Sequence, residues 1–208
     1  EFYDNIFPGI ESKTSRRPDA VPLMEWAFSM GYRVAIATDP LFPLKATHHR
    51  LRWAGLDPAQ FEIVSAFESF HFSKSHTAYY AEMLGQLGWP DEPVLMVGND
   101  AERDLMPAYR LGLKTYFIDG ESASSPGIEA GRGKLADLRP WLESTDLTTL
   151  EPSFKSPEAV LAILQSTPAV LQSLSASITK EQWEHEPSRE DWALNEITCH
   201  LRDNEREI

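Results

Sequence analysis

From about Ser15 to Ile118, short apolar runs alternate with stretches whose apolar residues recur every three or four positions. That alternation predicts βαβ units around a parallel sheet. Pro18 and Gly31 bracket a helix whose apolar side includes Val21, Met24, Ala27 and Phe28. Val34-Ala35-Ile36-Ala37 reads as a buried strand that stops at the turn Thr38-Asp39-Pro40. Leu44, His48 and Leu51 have helical spacing, and Gly55 ends that helix. Glu62 to Ala66 is a second strand. The helix after Ser75 carries Tyr79, Tyr80, Met83, Leu84 and Leu87 up to Gly88. Val94 to Val97 is a third strand, ending in Gly98-Asn99-Asp100. Asp100 is placed to cap the next helix, with Leu105, Ala108 and Tyr109 facing inward before Gly112. Thr115 to Ile118 is a fourth strand, Gly120 to Gly133 a loop without periodicity, and Leu135 to Leu142 a closing helix.

Past a polar stretch the pattern becomes wholly helical. Ser156-Pro157-Glu158 starts a helix carrying Val160, Leu161 and Leu164, and Thr167-Pro168 predicts a restart or kink. Leu171 and Leu174 continue the stripe, and Thr179 with Gln182 forms a capping box. A last helix from about Leu194 sets Ile197, His200, Leu201, Asn204 and Ile208 on one face. The organisation expected is an α/β domain over residues 1–145, a linker over 146–155 and a helical domain over 156–208.

Composition adds exclusions. The formal net charge of −13 repels phosphate backbones and anionic lipid, which argues against nucleic acid and membrane surfaces as partners. No run approaches the ~20 apolar residues a membrane span needs. The single Cys199 rules out an intrachain disulfide and fits a reducing, cytoplasmic setting. Glu1 is not an initiator Met and LRDNEREI stops within a helical pattern, so truncation is expected at both ends. Nothing in the pattern specifies an oligomeric state.

In open α/β sheets ligands bind beyond the carboxyl ends of the strands. Thr38-Asp39, Lys74, and Asn99-Asp100 with Asp104 all fall at that edge. A phosphoryl group in transfer needs hydroxyl and amide donors, a fixed cation, and carboxylates that hold a metal. Thr38 and the Asp39 amide can donate, Lys74 can neutralise charge, and Asp100 can anchor Mg²⁺ with Asp104 as a second or outer ligand. Each type also has an ordinary use: a strand-end threonine forms turns, a lone lysine is a solvated charge, and an aspartate caps a helix. His71 and His76 read as loop residues beside Lys74, His48-His49 as helix surface, and Cys199 as a small packing residue. Trp26, Trp53, Trp89 and Trp141 read as packing.

The three segments together resemble motifs of the haloacid dehalogenase superfamily. VAIATDP is similar to its second motif, HFSKSHTAYYAEML to its third, and VLMVGNDAERDLMPAYRLGLKTYFID to its acidic fourth, in order and spacing over roughly the first 145 residues. The resemblance implies a Rossmann-like three-layer core and a Mg²⁺-dependent phosphohydrolase acting on a small phosphate monoester through an aspartyl-phosphate. It implies Thr38 and Lys74 as catalytic residues, with Thr38, Asp39 and Lys74 binding substrate. Asp100 and Asp104 would hold Mg²⁺. Ser75 stands where the family usually has proline.

No DxDxT or DxDxV sequence, the family's nucleophile motif, is present. In the family that motif lies on a central strand between those of the second and fourth motifs, and 1–14 would be the remnant of a cap. Without that strand its two neighbours have unpaired edges. The segment alone is then expected to be inactive, and either poorly stable or wrongly closed.

HEPSREDWALNEITCHLRDNERE resembles the beginning of a DinB-like four-helix bundle, many of which bind a divalent metal through three histidines. Here only His200 matches. As alternatives, the resemblances leave haloacid dehalogenase chemistry, a metal-dependent transferase in the helical half, or a non-catalytic binding protein.

Overall fold

A computed structural model of the chain describes residues 1–118 and 127–204. The chain forms two compact units, Glu1–Val170 and Leu171–Ile208. The first is α/β, with parallel strands and flanking helices, as the apolar alternation predicts. Its elements are α1 (Ala20–Ser29), β1 (Ala35–Ile36), α2 (Leu44–Trp53), β2 (Ile63–Val64) and α3 (Thr77–Gln86). They continue through β3 (Leu95–Gly98), α4 (Met106–Leu111), β4 (Lys114–Ile118), β5 (Gly131–Gly133) and α5 (Leu135–Ser144). Then α6 (Pro157–Ser175) begins, the first unit ending within it at Val170.

The strands form two separate ladders. β1 pairs with β2, Ala35 opposite Ile63, and β4 lies between β3 and β5, with Val97 opposite Tyr116 and Phe117 opposite Arg132. All these pairings are parallel, yet β1 and β3 are not bonded to each other. Both nevertheless contribute to the same two apolar layers. Ala35 and Ala37 pack with Met96 on one side, and Val34 packs with Leu95 and Val97 on the other. The sheet is thus split between β1 and β3.

On the first side α3 is buried along nearly its whole length, Tyr79, Tyr80, Ala81 and Leu84 included. The small Gly85 lets α6 approach, since a Cβ there would sit 2.6 Å from Val170 Cγ2. On the second side α1 and α5 bury Leu23, Trp26, Ala27 and Leu138 against Tyr116 and Ile118. The buried stripe of α1 is therefore Leu23, Trp26 and Ala27, rotated from the Val21, Met24 and Phe28 side.

Three further expectations are revised. Tyr109 is exposed, because the backbone leaves Asp100 through a wide π-type turn, Ala101–Leu105, before α4 begins. Gly131–Gly133, expected in a loop, pairs as β5 with no apolar pattern to announce it; residues 120–126 of that loop lie outside the described residues. α6 runs through Pro168 without a restart, and the Ser166 and Thr167 hydroxyls both donate to the Ile163 carbonyl in that turn. Residues 146–155 include a short 3₁₀ turn whose Leu150 is buried. The Leu150 carbonyl accepts from the Val94 amide, and Ser153 N–H donates to the Gly112 carbonyl.

In the second unit, Thr179 and Gln182 form the expected reciprocal cap at the start of α7 (Lys180–Trp183). α8 (Leu194–Asn204) follows. Among the described residues, no helix is long and apolar enough to cross a membrane.

Candidate active site

The carboxyl ends of β1 and β3 and the loop after β2 bring Thr38, Asp39, Lys74, Asp100 and Asp104 into one linked group. The Lys74 ammonium lies 2.7 Å from Asp104 Oδ1, with only 16% and 5% of the two side chains exposed. Asp104 Oδ2 accepts from the Asn99 and Asp100 amides at 3.0 and 3.1 Å. Lys74 N–H donates to Asp39 Oδ1 at 3.2 Å, and the other Asp39 oxygen pairs with the Arg103 guanidinium. The Arg103–Asp39 pair therefore joins the ends of β1 and β3 directly, and Lys74 ties the loop after β2 to both. Removing one partner of the more buried pair should cost about 3–5 kcal/mol, because the other charge is stranded.

Thr38 is held from behind by groups that the hydrophobic pattern conceals. Its N–H donates to Ser65 Oγ at 2.9 Å. The Ser65 and Tyr79 hydroxyls approach its carbonyl at 2.8 and 2.9 Å, and lie 2.8 Å from each other. Burial pushes the Tyr79 and Tyr80 phenols well above their ordinary range, Asp104 and Asp39 adding to it in both. The Tyr80 hydroxyl donates to the Arg103 carbonyl. Neither the Thr38 hydroxyl nor the Asp39 amide makes a hydrogen bond among the described residues, so both donors remain available to a ligand.

The loop bearing Lys74 is tied down by α3. Glu82, wholly buried, accepts from the His71 amide at 3.0 Å and lies 2.7 Å from His71 Nδ1. Gln86 Nε2 donates to the Ser69 carbonyl. Glu82 carried a readable signal, an acid between Tyr79 and Met83 on a buried stripe, which demands a partner. Arg103 carried none, since an arginine in a helical first turn is ordinary surface.

Three carboxylates face two cations here, so a phosphate dianion would need a further positive charge. Mg²⁺ is content with one or two carboxylates plus waters and substrate oxygens. Asp100 suits it: Oδ1 accepts the Glu102 and Arg103 amides as a helix cap, and Oδ2 takes no hydrogen bond among the described residues. Asp104 spends both oxygens on Lys74 and the two amides. Among the described residues no group of three His, Cys, Asp or Glu side chains is set to hold a metal.

No protein-family model matches the sequence, and no curated protein matches it. Solved structures do. A HAD phosphatase from Thermococcus onnurineus matches with a TM-score of 0.57 at 22% identity, over 67% of this chain and 64% of that one. A putative beta-phosphoglucomutase from Thermotoga maritima matches with 0.51 at 18%, over 62% and 61%. An L-2-haloacid dehalogenase matches with 0.52 at 21%, over 62% and 56%.

The fold is haloacid dehalogenase-like. The matches cover less than two thirds of each of those chains, and the fold hosts both phosphate and haloacid chemistry, so the choice between them rests on the site itself.

In the second unit His200 is exposed, not inward as its helical register suggested, and its ring meets Trp192 edge-on at 4.9 Å. Ile197 and Leu201 on the same helix side are exposed too, 39% and 42%. Cys199, expected to pack, is also exposed.

Proposed function

We propose that residues 1–208 carry the phosphate- and metal-binding part of a Mg²⁺-dependent phosphohydrolase acting on a small phosphate monoester. The observation that supports this most is the joining of Thr38, Asp39, Lys74, Arg103 and Asp100 at one sheet edge, with the Thr38 hydroxyl and Asp39 amide unengaged. In this reading those two donors hold the transferred phosphoryl group. Lys74 stabilises its charge, and Asp104 positions Lys74 and the Asn99–Asp100 amides. Mg²⁺ held by Asp100 would supply the remaining positive charge.

The attacking group is an aspartate from outside residues 1–208, on a strand fitting between β1 and β3. Its carboxylate oxygen bonds to phosphorus as the ester P–O bond breaks and the alcohol leaves; water then hydrolyses the acyl phosphate, regenerating the carboxylate. Haloacid chemistry is disfavoured because it has no use for Asp100 as a metal anchor.

Binding of inorganic phosphate to the chain, followed by calorimetry with and without Mg²⁺, tests this without requiring turnover. Phosphate affinity should rise about tenfold with Mg²⁺. Asp100→Asn should abolish that rise, and Lys74→Met should weaken binding under both conditions. Phosphate binding that ignores Mg²⁺ and both substitutions would sink the reading.

A further inference from the structure

Helix α2 stands apart from the rest of this acidic chain. Its sequence, LKATHHRLRW, holds Lys45, Arg50, Arg52 and two histidines and no acid, in a protein of net charge −13. Lys45 is neutralised by Asp4. Arg50 is exposed, and among the described residues its guanidinium has no carboxylate or hydrogen-bond partner, only the Phe42 ring at 5.9 Å. Burial, then the Arg52 charge and His49, hold the His48 imidazole below its ordinary range.

Beside Arg50 opens a cavity of about 440 Å³, within the size range of small-molecule sites. Phe7, Ile10, Phe42 and Trp53 give it an apolar lining, with Thr14 and Ser15 adding hydroxyls. Phe7 and Trp53 are stacked with centroids 5.1 Å apart and planes 27° apart and are each only 8% exposed, so they form a packed floor, and Ile10 and Phe42, 39% and 40% exposed, offer the open apolar surface. An apolar surface with one uncompensated guanidinium beside it matches a ligand with an aromatic body and a single carboxylate. Arginine's fork binds carboxylate in two parallel hydrogen bonds, and it needs no metal to do so.

We propose that this cavity binds a small aromatic carboxylate, its ring against Ile10 and Phe42 above the Phe7–Trp53 floor and its carboxylate on Arg50. The site is separate from the phosphate-binding group but adjoins the same loop. Phe42 lies three residues beyond Asp39, and its carbonyl accepts from Phe67 N–H at 3.0 Å. A bound ring touching Phe42 therefore bears on the segment that presents the Asp39 amide.

The test is a titration with 3-phenylpropionate, read by tryptophan fluorescence and by amide shifts of Phe42, Arg50 and Trp53. A ligand of this size should saturate at roughly millimolar concentration. The neutral 3-phenylpropionamide should bind about tenfold more weakly, and Arg50→Ala should lose about as much. Arg50 is exposed, so the variant should keep the wild-type circular dichroism and melting temperature; Arg50→Lys should fall between. Absence of saturable shifts at these residues, or equal binding of acid and amide, would overturn the proposal. So would an Arg50→Ala variant that binds like wild type. Phosphate binding at Lys74 is not a condition of any of these outcomes.

Discussion

The two ladders of the first unit share their apolar layers but not their security. β4 is paired on both sides, and Tyr116 and Phe117 are at most 2% exposed. β1 is paired on one side over two residues, and both Ala35 and Ile36 are only half-buried. Parallel strands with apolar residues on both faces need neighbours on both edges to satisfy the backbone. The difference thus lies in missing partners, not in a different kind of strand. It also explains why Asp39, Lys74, Arg103 and Asp104 hold together at the split: they sit on loops tied to α3 and to each other by ion pairs, not on the ladder.

The widest separation between the two ladders should appear on truncating a side chain in each. Phe117→Ala removes a ring packed with Leu105 and lying 4.9 Å from the Arg132 guanidinium, and should cost about 3–5 kcal/mol. Ile36→Ala, half-buried beside the split, should cost less than about 2 kcal/mol. Urea unfolding of the two variants measures both; equal losses would mean that β1 is as well packed as β4.

Gly98→Ala should do intermediate damage, at the joint between β3 and the site. A Cβ there would lie 2.4 Å from Asp104 Cβ and 2.5 Å from its Oδ2, so the carboxylate holding Lys74 must move. The expected loss is about 1–3 kcal/mol, accompanied by weaker phosphate binding. Wild-type stability in this variant would show that the loop shifts freely and that the Asp104–Lys74 contact is not fixed.

The sequence made the helices and the first four strands legible because each is amphipathic or apolar at its own period and ends at a glycine, proline or capping aspartate. Gly88 and Gly112, both with positive φ, close helices where expected. What stayed hidden was whatever depends on a neighbour. β5 has the sequence Gly-Arg-Gly and becomes a strand only because β4 offers an edge. His200 and Cys199 were placed by helical register, which says which residues share a side but not whether anything covers it. In the proposed site, Thr38 and Asp100 were read from strand ends and Lys74 from its place before a helix. Arg103, Ser65 and Tyr79 did not, because their roles are contacts across 64, 27 and 41 positions of the chain.

The smallest effects should come from two consecutive tyrosines on α3, one reaching each side of the split. The Tyr79 hydroxyl meets the Thr38 carbonyl beyond β1, and Tyr80 donates to the Arg103 carbonyl beyond β3. Each Tyr→Phe change should cost about 1 kcal/mol, the usual net value of one such bond. Hydrogen exchange should separate them: Tyr79→Phe speeds exchange near Thr38 and leaves Arg103 alone, and Tyr80→Phe does the reverse. Both phenols are held above their ordinary value by burial. The folded chain thus keeps protons that the unfolded chain releases above about pH 10. Their contribution is whole below that pH and falls as pH rises beyond it. Melting temperatures taken from pH 8 to 11 should decline over the last unit, less steeply in either phenylalanine variant. An unchanged slope in both would mean that these phenols reach solvent, and that α3 does not bind the two halves from within.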